Sequence, residues 1–175
     1  MARPSQRDRV LDAYTAHVVT SGPEAVTLEA VARGAGVSKG GLLYHFPSKD
    51  ALLDGLLGHA RALHDADVAS ARASAEGVAR YYLRTSVDEA ASGSELHRVM
   101  VALYKLSTTE PRAAAVTRAC MATWQEALTE ELGDALTAQL VAVVGDGIYL
   151  RAVVGDPSEA LGRDWDAVLA RLGSG

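Results

Sequence analysis

The chain has 175 residues, 49% hydrophobic and 22% charged, which excludes a disordered, collagen-like or mostly membrane-embedded protein. Its 17 Lys and Arg against 22 Asp and Glu give a net charge of −5, which excludes indiscriminate coating of nucleic acid. The charge is uneven, net +1 over residues 1–50 (six basic, five acidic) and −6 over residues 51–175 (eleven and seventeen), so nucleic-acid contact at one end stays open.

Apolar residues recur with helical period along the whole chain, and no run alternates with the period of two that a strand needs. Alanine, the best helix former, occurs 32 times. The chain reads as all-α, with about nine helices. The first spans about Ser5 to Thr20, with Val10, Ala13, Tyr14, His17 and Val18 on one face, and Ser21-Gly22-Pro23 ends it. Thr27 caps a short second helix that buries Leu28, Val31, Ala32 and Ala35. Gly34 and Gly36 end it, Gly36 being suited to a left-handed turn. Ser38 caps a third helix that stops before Pro47, and Ser48 caps a fourth with Asp50 in its first turn. Five more follow: about Ser74 to Ala90, one after Ser94, Pro111 to Leu132, Asp134 to Val153, and one after Pro157-Ser158.

Cys120 is the only cysteine, so no intrachain disulfide forms, and it reads as a small core residue. The N-terminus has no stretch of signal-peptide type, and the longest apolar run, Leu140 to Gly145, stops at Asp146. A cytoplasmic protein with no membrane partner is expected. No Cys/His pair, metal triad, nucleotide loop or nucleophile elbow is visible, so neither catalysis, nor a metal, nor a cofactor is expected. His59 and His64 are five residues apart, out of line for a shared metal, and with His97 they read as solvated helix residues.

Residues 27–50, TLEAVARGAGVSKGGLLYHFPSKD, hold two short helices joined by a small-residue corner at Ala35-Gly36-Val37, a helix-turn-helix. Its second helix would enter the DNA major groove N-terminal end first. Ser38 and Lys39 can reach phosphates or base edges, and Gly40 and Gly41 let the backbone lie close. Tyr44 and His45, one turn on, suit flanking phosphates, and Thr27 and Lys49 sit at helix N-termini that attract phosphate. The alternative on these residues alone is a Gly40-Gly41 loop followed by a Tyr44-His45-Phe46 core.

Over about residues 7–57 the chain resembles the N-terminal domain of TetR-family transcriptional regulators. Gly22, Ala32, Ala35-Gly36-Val37-Ser38, Gly40, Leu42, Phe46, Ser48-Lys49 and Leu52 fit the family's pattern in register. Pro23, Gly41 and Leu43-Tyr44-His45 depart from its commonest residues, moving the aromatic hydroxyl by one position. The resemblance implies a DNA-binding domain over residues 1–47 and a ligand-binding and dimerisation domain over residues 48–175. It implies a homodimeric repressor, released from double-stranded operator DNA by a small-molecule effector. The last two helices would pair with a second copy, with Leu140, Val144, Gly147, Ile148, Leu161 and Trp165 as interface candidates. Tyr81, Tyr82, Met100, Leu103, Tyr104, Met121 and Trp124, on three consecutive helices, are candidates for a largely apolar effector pocket. Asp146 interrupts the most apolar helix; it is a surface or salt-bridged carboxylate, or a polar member of that pocket.

Overall fold

A computed structural model describes residues 5–155 and 164–173. Among the described residues there is no strand, and there are nine α-helices: α1 (Gln6–Ser21), α2 (Leu28–Gly34), α3 (Lys39–His45), α4 (Lys49–Ala73), α5 (Val78–Ser92), α6 (Glu95–Ser107), α7 (Pro111–Leu132), α8 (Ala135–Val153) and α9 (Trp165–Leu172). The chain divides into two compact units, Met1–Leu63 with Arg98–Thr117, and His64–His97 with Arg118–Gly175. The divisions fall inside α4, α6 and α7.

The first unit is built on α1 to α3. Ser5 and Asp8 cap α1 reciprocally, side chain to backbone, at 3.1 and 3.2 Å. The α1 face of Val10, Leu11, Tyr14 and Val18 is buried against Val31, Leu42, Phe46, Leu52 and Leu56. α6 adds Val99, Ala102, Leu103 and Leu106 to the same core. Two polar ties accompany that packing. Lys105 Nζ donates to the Val19 carbonyl at 2.6 Å, and Arg112 at the start of α7 reaches Asp50 at 3.0 Å and Asp54 at 2.9 Å.

The second unit buries Val68, Leu83, Trp124, Leu128, Val141, Ile148 and Trp165 in its own core. α5 starts at Val78 rather than near Ser74, because Gly77 turns with φ 84° and breaks the helical path. The first free N–H groups of α5, on Val78 and Ala79, donate to the Glu131 carboxylate at 2.9 and 2.7 Å. A side chain on Gly77 would collide with that carboxylate. α9 is described from Trp165, with Asp164 as its N-cap. The expected start of this helix at Pro157-Ser158 lies outside the described residues.

Candidate nucleic-acid interface and effector site

The helix-turn-helix is assembled from local signals. Thr27 Oγ accepts from Ala30 N at 3.1 Å, and Ser38 Oγ accepts from Gly41 N at 3.0 Å, each satisfying an orphan N–H of a first helical turn. Gly36 closes the corner with φ 64°. α1 braces it from behind: Arg9 donates to the Ala35 carbonyl at 3.4 Å, and His17 Nε2 meets the Ala30 carbonyl at 3.1 Å. Leu42 is fully buried on the inner face of α3 and Phe46 anchors its end.

The outer face of α3 is open. Ser38, Lys39 and Gly40 are exposed, and Tyr44 is 85% exposed with its ring edge-on to the half-buried His45. Gly41 is half-buried beside the Gln6 side chain, whose amide nitrogen lies 2.6 Å from where a Cβ would stand. Thr27 and Lys49 are exposed at the starts of α2 and α4. So the Tyr44-His45-Phe46 run divides, Phe46 inward and Tyr44 outward. Helical spacing does not reveal one partner: Lys39 Nζ is held by Glu29 of α2 at 2.6 Å, and that bond keeps the Glu29 carboxyl below its usual range.

The second unit brings Tyr81, Tyr82 and Trp124 together. The Trp124 ring lies 4.7 Å from Tyr82 and stacks with Tyr81 at 6.5 Å between centroids. Each tyrosine hydroxyl donates to a carboxylate, Tyr81 to Asp67 at 2.8 Å and Tyr82 to Asp146 at 2.6 Å. Burial, then the Asp67 carboxylate, pushes the Tyr81 hydroxyl up to about 12. Asp146 is exposed as a residue, but its carboxyl end is crowded by protein. That partial desolvation raises it, against the lowering effect of the Tyr82 hydrogen bond. The Arg84 guanidinium covers the Tyr81 ring at 5.3 Å and pairs with Glu76 at 2.6 Å. Met121 is exposed. Met100, Leu103 and Tyr104 belong to the first unit, where Leu103 is fully buried and Met100 packs against the core.

Two histidines differ from the solvated reading. His97 is half-buried and its Nδ1 lies 2.9 Å from the Tyr149 hydroxyl. His64 is 4% exposed, edge-on to Trp124 at 6.1 Å, and neither ring nitrogen has a hydrogen-bond partner. Its position was legible: Leu57, Ala60, His64, Val68 and Ala71 step by three or four residues along the buried face of α4.

The interface candidates separate by burial. Ile148 and Trp165 point into the chain's own core, and Val144 packs against that core. Leu140 is exposed and the Gly147 position opens onto empty space, while Leu161 lies outside the described residues.

Two family profiles match the sequence: bacterial regulatory proteins of the tetR family over residues 11–56, and the tetracyclin repressor-like C-terminal domain over residues 76–174. The second alone spans more than half of the chain. The chain belongs to the TetR family. It is a transcriptional regulator of all-helical fold, and TetR-family regulators are non-enzymatic DNA-binding proteins. A TetR-family protein from Streptomyces coelicolor A3 is similar over 97% of this chain and 98% of its own, at 26% identity and TM-score 0.69. The multidrug binding protein EbrR, complexed with malachite green, shares the fold at 24% identity and TM-score 0.73 over 97% of this chain and 98% of its own. SmeT, complexed with triclosan, shares it at 14% identity and TM-score 0.70, over 97% and 90%. No curated protein sequence matches the chain.

Proposed function

We propose that this TetR-family regulator is a homodimeric repressor that binds a two-fold operator through α3 and leaves it when an effector enters the second unit. The observation that carries the operator reading is the divided α3: Leu42 and Phe46 hold it to the core, while Ser38, Lys39, Gly40 and Tyr44 face outward. Two such helices in one dimer would meet successive major grooves about 34–36 Å apart. Thr27, Ser38, Lys39, Gly40, Gly41, Tyr44, His45 and Lys49 are the proposed DNA contacts. Those to phosphate set affinity, and those to base edges set sequence.

The homodimer reading rests on α8. Leu136, Leu140, Val143, Gly147, Leu150 and Val154 follow one another at steps of four, three, four, three and four residues, the seam spacing of paired helices. All are exposed, with Leu136, Val143, Leu150 and Val154 each above 60%. A second copy is the proposed occupant, because an isologous interface matches a two-fold operator. The effector reading rests on the Tyr81, Tyr82 and Trp124 cluster with the Asp146 carboxylate at its edge. The aromatic ligands of EbrR and SmeT support a largely apolar aromatic effector. Release needs a coupling of only about 1–3 kcal/mol between the two sites.

The test is titration of the purified protein into DNA from upstream of its own gene, at two salt concentrations and against unrelated competitor. Competitor-resistant binding of one dimer per site is expected. Lys49→Ala should weaken binding at every sequence and flatten the salt dependence, since a phosphate contact carries no base information. Binding no tighter than to competitor removes the operator reading, and an unchanged salt slope in Lys49→Ala removes that contact.

A further inference from the structure

His64 is a polar group that the fold buries and then leaves without a partner. Its ring is nine-tenths or more enclosed, and both nitrogens lack a hydrogen bond. Asp65 Oδ1 comes no nearer to Nδ1 than 3.6 Å, beyond hydrogen-bond reach, and its own side chain is mostly exposed. Buried polar atoms almost always find a partner, because an unsatisfied one costs what desolvation takes and returns nothing. Something outside the chain that reaches this ring can therefore complete the bond. The surroundings define that something. Trp124 stands edge-on to the imidazole, and Tyr81 and Tyr82 flank Trp124, so the neighbouring side chains are flat and aromatic.

The imidazole itself narrows the class. Burial holds His64 below its ordinary value of 6.5, against the raising effects of Asp65, Asp67 and the Cys120 backbone, so the neutral ring is favoured at physiological pH. A neutral imidazole offers one N–H donor and one lone-pair acceptor. The two acidic neighbours, Asp65 and Asp67, oppose an anionic ligand, and the desolvation that discharges His64 opposes a cationic one. A hydroxyl on an aromatic ring satisfies either nitrogen without bringing a charge.

We propose that His64 is the polar anchor of the effector site, and that the effector is an uncharged planar aromatic carrying a phenolic hydroxyl that hydrogen-bonds to the His64 ring. This rests on the second unit being the effector domain, and it adds the anchor and the ligand class.

The experiment is calorimetric titration of the full chain with 2-naphthol, naphthalene and 2-naphthoate. Wild type should bind 2-naphthol at least tenfold more tightly than either of the others. His64→Phe keeps a flat ring beside Trp124 and should bring 2-naphthol and naphthalene within twofold of each other, with naphthalene affinity retained. His64→Gln, which keeps a donor and an acceptor, should retain part of the preference. In the unaltered protein, the His64 ring-nitrogen resonances should move on adding 2-naphthol, a readout that needs no variant to fold. Equal affinity for 2-naphthol and naphthalene in wild type overturns the proposal. So does a preference that survives His64→Phe. Unmoved His64 resonances also overturn it, and mean that water alone fills the two bonds. Operator binding without ligand, measured on the same preparations, separates the two levels. Loss of it in wild type sinks the repressor reading whatever 2-naphthol does, and normal operator binding with no 2-naphthol preference sinks only the anchor.

Discussion

Two glycines of α4, three residues apart, sit in opposite surroundings. A Cβ on Gly55 would stand 2.6 Å from Phe46 Cε1 and 3.1 Å from Leu11 Cδ2, both of them core side chains. A Cβ on Gly58 would meet nothing within 4 Å. Alanine gains roughly 1 kcal/mol over glycine in a helix interior, so Gly58→Ala is expected to stabilise the protein by about that amount. At Gly55 the same gain is opposed by overpacking, which costs about 1–3 kcal/mol, so Gly55→Ala is expected to lose up to about 2 kcal/mol. Urea unfolding of the two variants beside wild type checks the pair, and equal shifts would contradict the packing at Phe46. Asp146 gives a pH prediction of definite sign. Its carboxyl is raised in the folded state, so the fold binds its proton more tightly than the unfolded chain does. The ionised form therefore costs stability at neutral pH, and the cost disappears as pH falls through the raised value to the ordinary 3.8. Asp146→Asn keeps an acceptor for the Tyr82 hydroxyl and should melt higher than wild type near about pH 7, with the advantage gone near about pH 3. A constant difference across that range would show that desolvation of the carboxyl is not its cause.

At the scale of elements, what was legible in the sequence is what is decided locally. Thr27, Ser38 and Ser48 each cap the helix that follows, because a cap needs only a hydroxyl and an N–H three residues on. The glycine corner at Gly36 and the all-helical pattern are local in the same sense. The start of α5 was not legible, because its first N–H groups are satisfied by Glu131, more than fifty residues away in sequence. The aromatic cluster was half legible. Tyr81, Tyr82 and Trp124 converge as their helical spacing suggests, but the Asp67 partner of Tyr81 and the buried His64 depend on how α4, α5 and α7 pack. The Glu29–Lys39 pair joins α2 to α3 and carries a consequence for DNA. It holds the first side chain of α3 by an exposed ion pair, of the kind worth little to stability. Glu29→Gln should leave unfolding unchanged within about 0.5 kcal/mol, since both side chains are solvated. The same change removes a negative charge beside the groove-facing helix and frees the Lys39 ammonium. Affinity for all DNA sequences should rise, with a log–log salt slope steeper by about one unit per protomer. Filter-binding at four salt concentrations measures that slope, and an unaltered slope would mean that Lys39 makes no phosphate contact.

At the scale of the whole molecule, α8 is apolar on two sides. Ala138, Val141, Gly145 and Ile148 form its buried side, and Gly145 gives the Tyr82 ring room that a side chain would fill. The Leu136-to-Val154 stripe lies on the other side and has no cover within the described residues. The two sides together make α8, with a mean hydropathy of 1.3, long and apolar enough to cross a bilayer by length and composition alone. A helix apolar all round is one that is buried all round, and here one side is already buried in its own subunit. The proposed second copy supplies the cover for the other. Gly147, in the middle of the stripe with open space above it, lets a partner backbone approach closely. Leu150→Glu places a charge in that seam while touching none of the buried side. It should convert the dimer to a monomer in sedimentation velocity at micromolar concentration, with helical content and unfolding midpoint set by the intact cores. Operator affinity should fall with it, because one recognition helix cannot span two half-sites, and it should recover at concentrations high enough to restore the dimer. Ile148→Glu is the control on the opposite side of α8, and it should unfold the second unit rather than separate two folded copies. A Leu150→Glu protein that still sediments as a dimer would place the interface elsewhere on the molecule.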